Sequence, residues 1–194
     1  MADIYDEINH EYYRNGKKLP NVTEICEPIS FERLNALQKA MLERAKHRGT
    51  RCHELAEEYL LMGDIDIYQI ETEYLPYIQQ FVLWVKTYKP KVLFTEKRLF
   101  SDLFAGTLDL ICEIDGKKII VDYKFTSSID KKSLSVQLEG YSRLAKTNNI
   151  EIDECWFLHI KKDGFVFKPI KKDSDWFDIL LKHNQKLKEK YNGK

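Results

Sequence analysis

Proline and glycine are scarce, 5 and 8 of 194 residues, in a chain that is 43% hydrophobic and 32% charged. That is the composition of a soluble globular protein, long enough for one domain with a sizeable core. The four cysteines, at 26, 52, 112 and 155, form no CxxC pair. Such spacing is poor for zinc and gives no disulfide framework, so free, mostly buried thiols in a reducing cytoplasm fit best. No run approaches the ~18 apolar residues of a membrane helix, and the acidic, polar opening MADIYDEINHEYY does not read as a secretory signal. Net charge is absent too, 31 basic against 31 acidic side chains, which argues against a protein that simply coats nucleic acid.

The charge that is present is unevenly placed. From Cys52 to Val85 there is no Lys or Arg, only acidic groups, while KHRGTR at 46–51 and Lys pairs at 117–118, 131–132, 161–162 and 171–172 collect the positive charge. A solvated face and a groove for a polyanion are both compatible with this asymmetry. No linker, repeat or low-complexity segment interrupts the chain.

Asn15-Gly16 predicts a hairpin in YYRNGKKLPNVT. Ser30 can cap a helix through Phe31, Leu34, Leu37 and Met41, with Gly49 and Thr50 as its punctuation. RCHELAEEYLLMG reads as a further helix ended by Gly63, and Thr72 can cap a third that Pro90 closes. The period then changes to that of strands in KVLFTEKRLF, AGTLDLICEI and KKIIVDYKF, the last two joined by Asp115-Gly116. A helix over SVQLEGYSRLAKTNN, two strands around Asp163-Gly164 and a final helix capped by Ser174 or Asp175 complete the order. The expectation is an α/β layer structure with helices on a mixed sheet.

Polar residues break this pattern at a few places. In IIVDYKF, Asp122 and Lys124 share one strand face while Val121, Tyr123 and Phe125 share the other. Asp109 stands on the adjacent strand, with Leu108 and Leu110 expected on the opposite face, so the two carboxylates can converge beside an ammonium. Mg²⁺ favours such oxygen ligands, and a wet-face Asp/Lys pair is the plainer alternative. His53 recurs with Glu57 at helical spacing, as a nitrogen ligand or as a hydrogen-bonded core-edge histidine. Gln137 and Tyr141 stack four residues apart, either on phosphate and base or as packing residues. Glu96 pairs with a neighbouring cation such as Arg98, or steadies Lys124 from behind.

Taken together, GTLDLICEIDGKKIIVDYKFT, the upstream GTRCHELAEEYL and the downstream QLEGY resemble the PD-(D/E)XK nuclease superfamily, in its RecB-like exonuclease branch. The opening LPNVTEI is similar to phage and mitochondrial genome maintenance members. The motif likeness runs from about Gly49 to Tyr141. It implies a restriction-endonuclease-like core over 91–170, an N-terminal hairpin extension over 1–30 and a C-terminal helix over 174–191 of a single domain. Asp109 and Asp122 would ligate Mg²⁺ or Mn²⁺, His53 and the Tyr123 carbonyl would complete the ligands, and Lys124 would position or activate the water. Gln137 and Tyr141 would hold the strand or support the site, and Glu96 would be auxiliary. Two departures stand out: Leu108 replaces the proline of the family name, and Cys155 is the only late cysteine, so no iron–sulfur cluster is expected. The implied activity is a metal-dependent DNA exonuclease on ends or single strands. A non-catalytic nucleic-acid-binding protein and a structure-specific endonuclease are its rivals, and oligomeric state and any recombination partner protein stay open.

Overall fold

Three short strands come first, β1 (Asp3–Asp6), β2 (Glu11–Arg14) and β3 (Lys17–Leu19), in an antiparallel sheet of that order. The computed structural model describes residues 2–30 and 36–192. Asn15 and Gly16, at φ 51° and 75°, supply the left-handed pair that the expected two-residue hairpin needs.

The first three helices each depart from expectation. Ser30 ends a helix, α1 (Val22–Ser30), rather than starting one, and Phe31 and Leu34 lie outside the described residues. The second helix, α2 (Ala36–Met62), runs unbroken through Gly49 and Thr50. An interior glycine costs a helix about 1 kcal/mol relative to alanine. Burial of Cys52, Leu55, Ala56 and Tyr59 along one helical face outweighs it. Thr72 is no cap: Tyr74 stands at the N-cap of α3 (Leu75–Tyr88), with no side-chain hydrogen bond, and Pro76 lies in the first turn. That helix ends at Lys89, in the left-handed region at φ 47°, immediately before Pro90.

The main sheet has the order β4 (Lys91–Phe100), β5 (Ala105–Ile114), β6 (Lys117–Lys124), β7 (Glu154–Lys161) and β8 (Gly164–Pro169). All neighbours are antiparallel except β6 and β7, which run parallel and are joined through α4 (Lys131–Thr147). Asp130 caps α4 by accepting from the N–H groups of Lys132 and Ser133. The last helix, α5 (Ser174–Asn192), is held at its start by Asp173, not by Ser174 or Asp175: the Trp176 N–H donates to Asp173 Oδ1 at 3.1 Å. The expected fold class, a mixed sheet flanked by helices with an N-terminal hairpin extension, is the one observed.

Helices cover both faces of this sheet. On one, α1, α4 and α5 bury Val22, Ile25, Leu138, Leu144 and Phe177 against Leu108, Ile111 and Ile120. On the other, α2 and α3 bury Leu55, Phe81 and Trp84 against Leu110, Val121, Tyr123 and Phe125. Full burial of side chains this size contributes about 1.5–3 kcal/mol each. All four cysteines are free and buried.

Candidate active site

The strand β6 alternates as its sequence requires. Val121, Tyr123 and Phe125 pack under α2 and α3, and Asp122, 2% exposed, faces away from them. On β5 the alternation fails. Leu108 and Leu110 do not share a face: Leu108 packs on the α1–α4 side and Leu110 on the α2–α3 side. The irregularity is centred on Asp109, and the backbone around it shows why. The β4–β5 register passes from Thr95 opposite Leu110 to Lys97 opposite Leu108, with no pairing of Glu96 and Asp109 between them. Glu96 has φ 43°, a left-handed conformation that a side-chain-bearing residue adopts only under constraint. On the other side, the β5–β6 ladder stops at Leu110 opposite Val121. Asp109 therefore sits in a fork between parting strands, and its Oδ2 accepts from the Tyr123 N–H at 2.7 Å. The Thr95 hydroxyl meets the Asp109 carbonyl at 3.3 Å.

The fork brings three ligand-type side chains together. His53 Nδ1 lies 3.5 Å from Glu96 Oε1 and 3.6 Å from Asp109 Oδ1. Among the described residues, His53, Glu96 and Asp109 are the group whose donor atoms fall within 4.8 Å of one another. Helix α2 delivers His53 beside its buried face, and the ring is held 5.7 Å from Tyr123 and 5.4 Å from Phe125 between centroids. One imidazole nitrogen and two carboxylates suit Mn²⁺ or a similar divalent ion, and the Tyr123 N–H orients one of them.

Asp122 lies beyond that group and holds Lys124, whose Nζ is 2.6 Å from Oδ2. Oδ2 is buried, with the Lys124 ammonium beside it. Lys124 is thus partnered by Asp122, and Arg98 by Glu7 at 3.1 Å, while Glu96 turns to His53. Gln137 and Tyr141 meet each other: the amide donates to the phenol oxygen at 3.0 Å. Tyr123 engages the site through its N–H; its side chain packs against Phe81 and Trp84.

Electrostatics set the group apart from ordinary surface pairs. Burial raises the Asp109 pKa, with His53 and Lys124 opposing it. Burial likewise pushes Asp122 up to about 6, against the pull of Lys124 and with help from Asp109. For His53, burial disfavours the imidazolium, yet Asp109 and Glu96 together prevail and the pKa is raised. Lys124 behaves in the same way: burial opposes its charge, and Asp122 and Asp109 more than restore it. Crowded carboxylates balanced by one ammonium and one histidine are the kind of arrangement that shifts pKa values, in structural networks and active sites alike.

His53, Glu96, Asp109, Lys124 and Tyr141 all line one cavity of about 750 Å³. Another part of the wall was not legible in the sequence: Tyr5 and Tyr12 from β1 and β2, and His10 from the turn between them, line the same cavity. Tyr12 is anchored to β5 by a 2.7 Å hydrogen bond between its hydroxyl and that of Thr107. Of the basic stretch at 46–51, Lys46 lines the cavity, Arg48 donates to the Phe125 carbonyl at 3.1 Å, and Arg51 is taken up by Glu54 and Glu71. Lys132 lies over the Trp176 ring at 4.1 Å.

No family model and no curated protein matches this chain. Among solved structures it is similar to a phage related exonuclease from Haemophilus somnus 129PT, with a TM-score of 0.46 and 15% identity over 89% of this chain and 92% of that one. It is also similar to SSO0001, with a TM-score of 0.38 and 16% identity over 86% of this chain and 83% of that one.

Proposed function

We propose that this chain is a divalent-metal-dependent DNA exonuclease, hydrolysing phosphodiester bonds at DNA ends or in single strands. The observation that carries the reading is the convergence of His53, Glu96 and Asp109 at the strand fork, beside the buried Asp122–Lys124 pair. His53, Asp109 and Glu96 would hold Mn²⁺ or Mg²⁺ directly. The PD-(D/E)XK-like pattern adds Asp122 and the Tyr123 carbonyl to that set. A cation bound there supplies a water of lowered pKa and neutralises charge on the phosphorus.

The remaining roles belong to the chain's own side chains. Tyr123 N–H fixes the Asp109 carboxylate, so the ligand is oriented before any ion arrives. Asp122 keeps Lys124 charged and aimed from β6. As an ammonium, Lys124 would orient the attacking water or donate to a phosphoryl oxygen gaining charge, and the water, acidified by the bound cation, would release its proton to solvent. Tyr141, tied to Gln137, closes the cavity beside Lys124. Lys46, Arg98 and Lys124 line the cavity among four carboxylates, and phosphate contacts made by these cations would be salt-dependent.

The test uses end-labelled linear DNA and closed circular single strands with Mg²⁺, Mn²⁺ or EDTA. The reading expects metal-dependent release of end nucleotides and an intact circle. A circle cut as readily as linear DNA would replace the exonuclease with an endonuclease, and binding without cleavage of any substrate would leave a non-catalytic DNA-binding protein.

A further inference from the structure

The cavity has a second feature that the metal-centred chemistry does not use. Tyr5 and Tyr12 are directly opposed across β1 and β2, with ring centroids 4.8 Å apart. Tyr12 is 5% exposed and rests edge-on against Phe100 at 5.7 Å. On top of this pair lies Arg98, its Cζ 4.2 Å from the Tyr5 ring centroid. Tyr5 is tied in place by its 2.7 Å hydrogen bond with His10 Nδ1. The result is a contiguous cluster of Tyr12, Tyr5 and Arg98, with the two rings inclined by 49°, and all three residues line the cavity that holds His53 and Asp109.

We propose that Arg98, whose guanidinium carbon sits over the Tyr5 ring, is a stacking platform for one unpaired nucleobase of a single-stranded substrate; this rests on the nuclease reading above. Three features support a base rather than a phosphate. The Nη2 edge of the guanidinium is already engaged by Glu7 at 3.1 Å, so its charge is partnered while the side chain stays 46% exposed. A planar group backed by an aromatic ring offers a π-face, which every base can match without regard to sequence. Arg98 also lies two residues along β4 from Glu96 and lines the same cavity, so a base on Arg98 belongs to a nucleotide near the bond being cut. Bases paired inside a duplex keep their faces stacked, so this platform selects single strands or frayed ends.

An abasic scan tests the assignment. A fluorescein-labelled single strand carrying one abasic residue, moved stepwise along it, is titrated in EDTA with wild type and with Arg98→Lys. Lysine keeps the charge and the reach to Glu7 but has no plane. The expected result is one position whose missing base weakens wild-type binding about tenfold and does not weaken Arg98→Lys further. Tyr5→Leu, which removes the backing ring, should behave as Arg98→Lys does. Equal sensitivity in both proteins, no sensitive position, or no binding of the intact single strand overturns the platform. Failure of the nuclease reading is seen separately, as the absence of Asp109-dependent cleavage with Mg²⁺ or Mn²⁺, and the EDTA comparison reads out whether or not cleavage occurs.

Discussion

Replacing Glu96 with glycine should leave the metal-free protein more stable than replacing it with alanine. At an ordinary strand position the order is the reverse, because glycine loses ~0.5–1 kcal/mol more conformational freedom on folding. Glu96 holds φ 43°, however, where a Cβ crowds the following carbonyl. That conformation costs a side-chain-bearing residue about 1–2 kcal/mol, and alanine inherits the cost while glycine does not. Both substitutions remove the same carboxylate and the same 3.5 Å contact with His53, so those effects cancel in the comparison. The balance favours glycine by about 0.5–1 kcal/mol, or about 1–4 °C in Tm for a chain of this length. Thermal unfolding of both variants in EDTA, followed by circular dichroism, measures it directly. Alanine equal to or above glycine would refute the claim that the backbone is strained here to present the carboxylate. Mn²⁺ affinity should fall alike in both, since ligation depends on the lost side chain.

The carboxylates at the fork give a pH dependence whose sign follows from their shifts. Asp122 has a folded-state pKa of about 6, above its ordinary 3.8, so its burial costs stability increasingly as pH rises between those values, on the order of 3 kcal/mol. His53, raised above 6.5, contributes stability that is present below that value and lost as pH rises through its folded pKa. Both predict a metal-free Tm lower at pH 8 than at pH 5, with saturating Mn²⁺ narrowing the gap; a gap that metal leaves unchanged would contradict the site. Mn²⁺ affinity measured by calorimetry should weaken at least about tenfold from pH 7.5 to 5.5, because ligands must shed their protons. A flat profile would count against His53 as a ligand. Gly140→Ala should destabilise by about 1–3 kcal/mol, since the added Cβ would sit 2.6 Å from Phe177 Cε2 and 2.9 Å from Val22 Cγ1. Urea unfolding that showed a gain instead would mean the junction of α1, α4 and α5 is looser than described.

Much of the sheet was readable because its signals are local. Asn15-Gly16 and Asp115-Gly116 adopt the left-handed turns that their composition demands, and the strand limits of β4 and β5 coincide with the expected apolar runs. The two-faced character of β6, with Asp122 set apart from Val121 and Tyr123, follows from period two alone. What was not readable depends on distant partners. Gly49 reads as a stop, yet the helix continues because Cys52, Leu55 and Ala56 pack on a sheet that forms later in the chain. The reversal of faces between Leu108 and Leu110 comes from the break in pairing opposite Glu96, which no single-strand pattern encodes. The sequence pattern puts Glu96 near Lys124 or a surface cation, whereas in the fold it turns to His53 from a left-handed backbone. The hairpin wall of Tyr5 and Tyr12 depends on the Tyr12–Thr107 contact across 95 positions of sequence.

The central claim is that the fork carries a metal-dependent hydrolytic centre, and its most direct test is one rate measurement. Cleavage of an end-labelled single strand is followed against Mn²⁺ concentration for wild type and Asp109→Asn, with strand binding measured alongside. The account predicts a wild-type rate that saturates with metal and vanishes in EDTA. It predicts a loss of at least about a hundredfold in Asp109→Asn, with the strand still bound. Cleavage that persists in EDTA, or an Asp109→Asn rate equal to that of wild type, would contradict it.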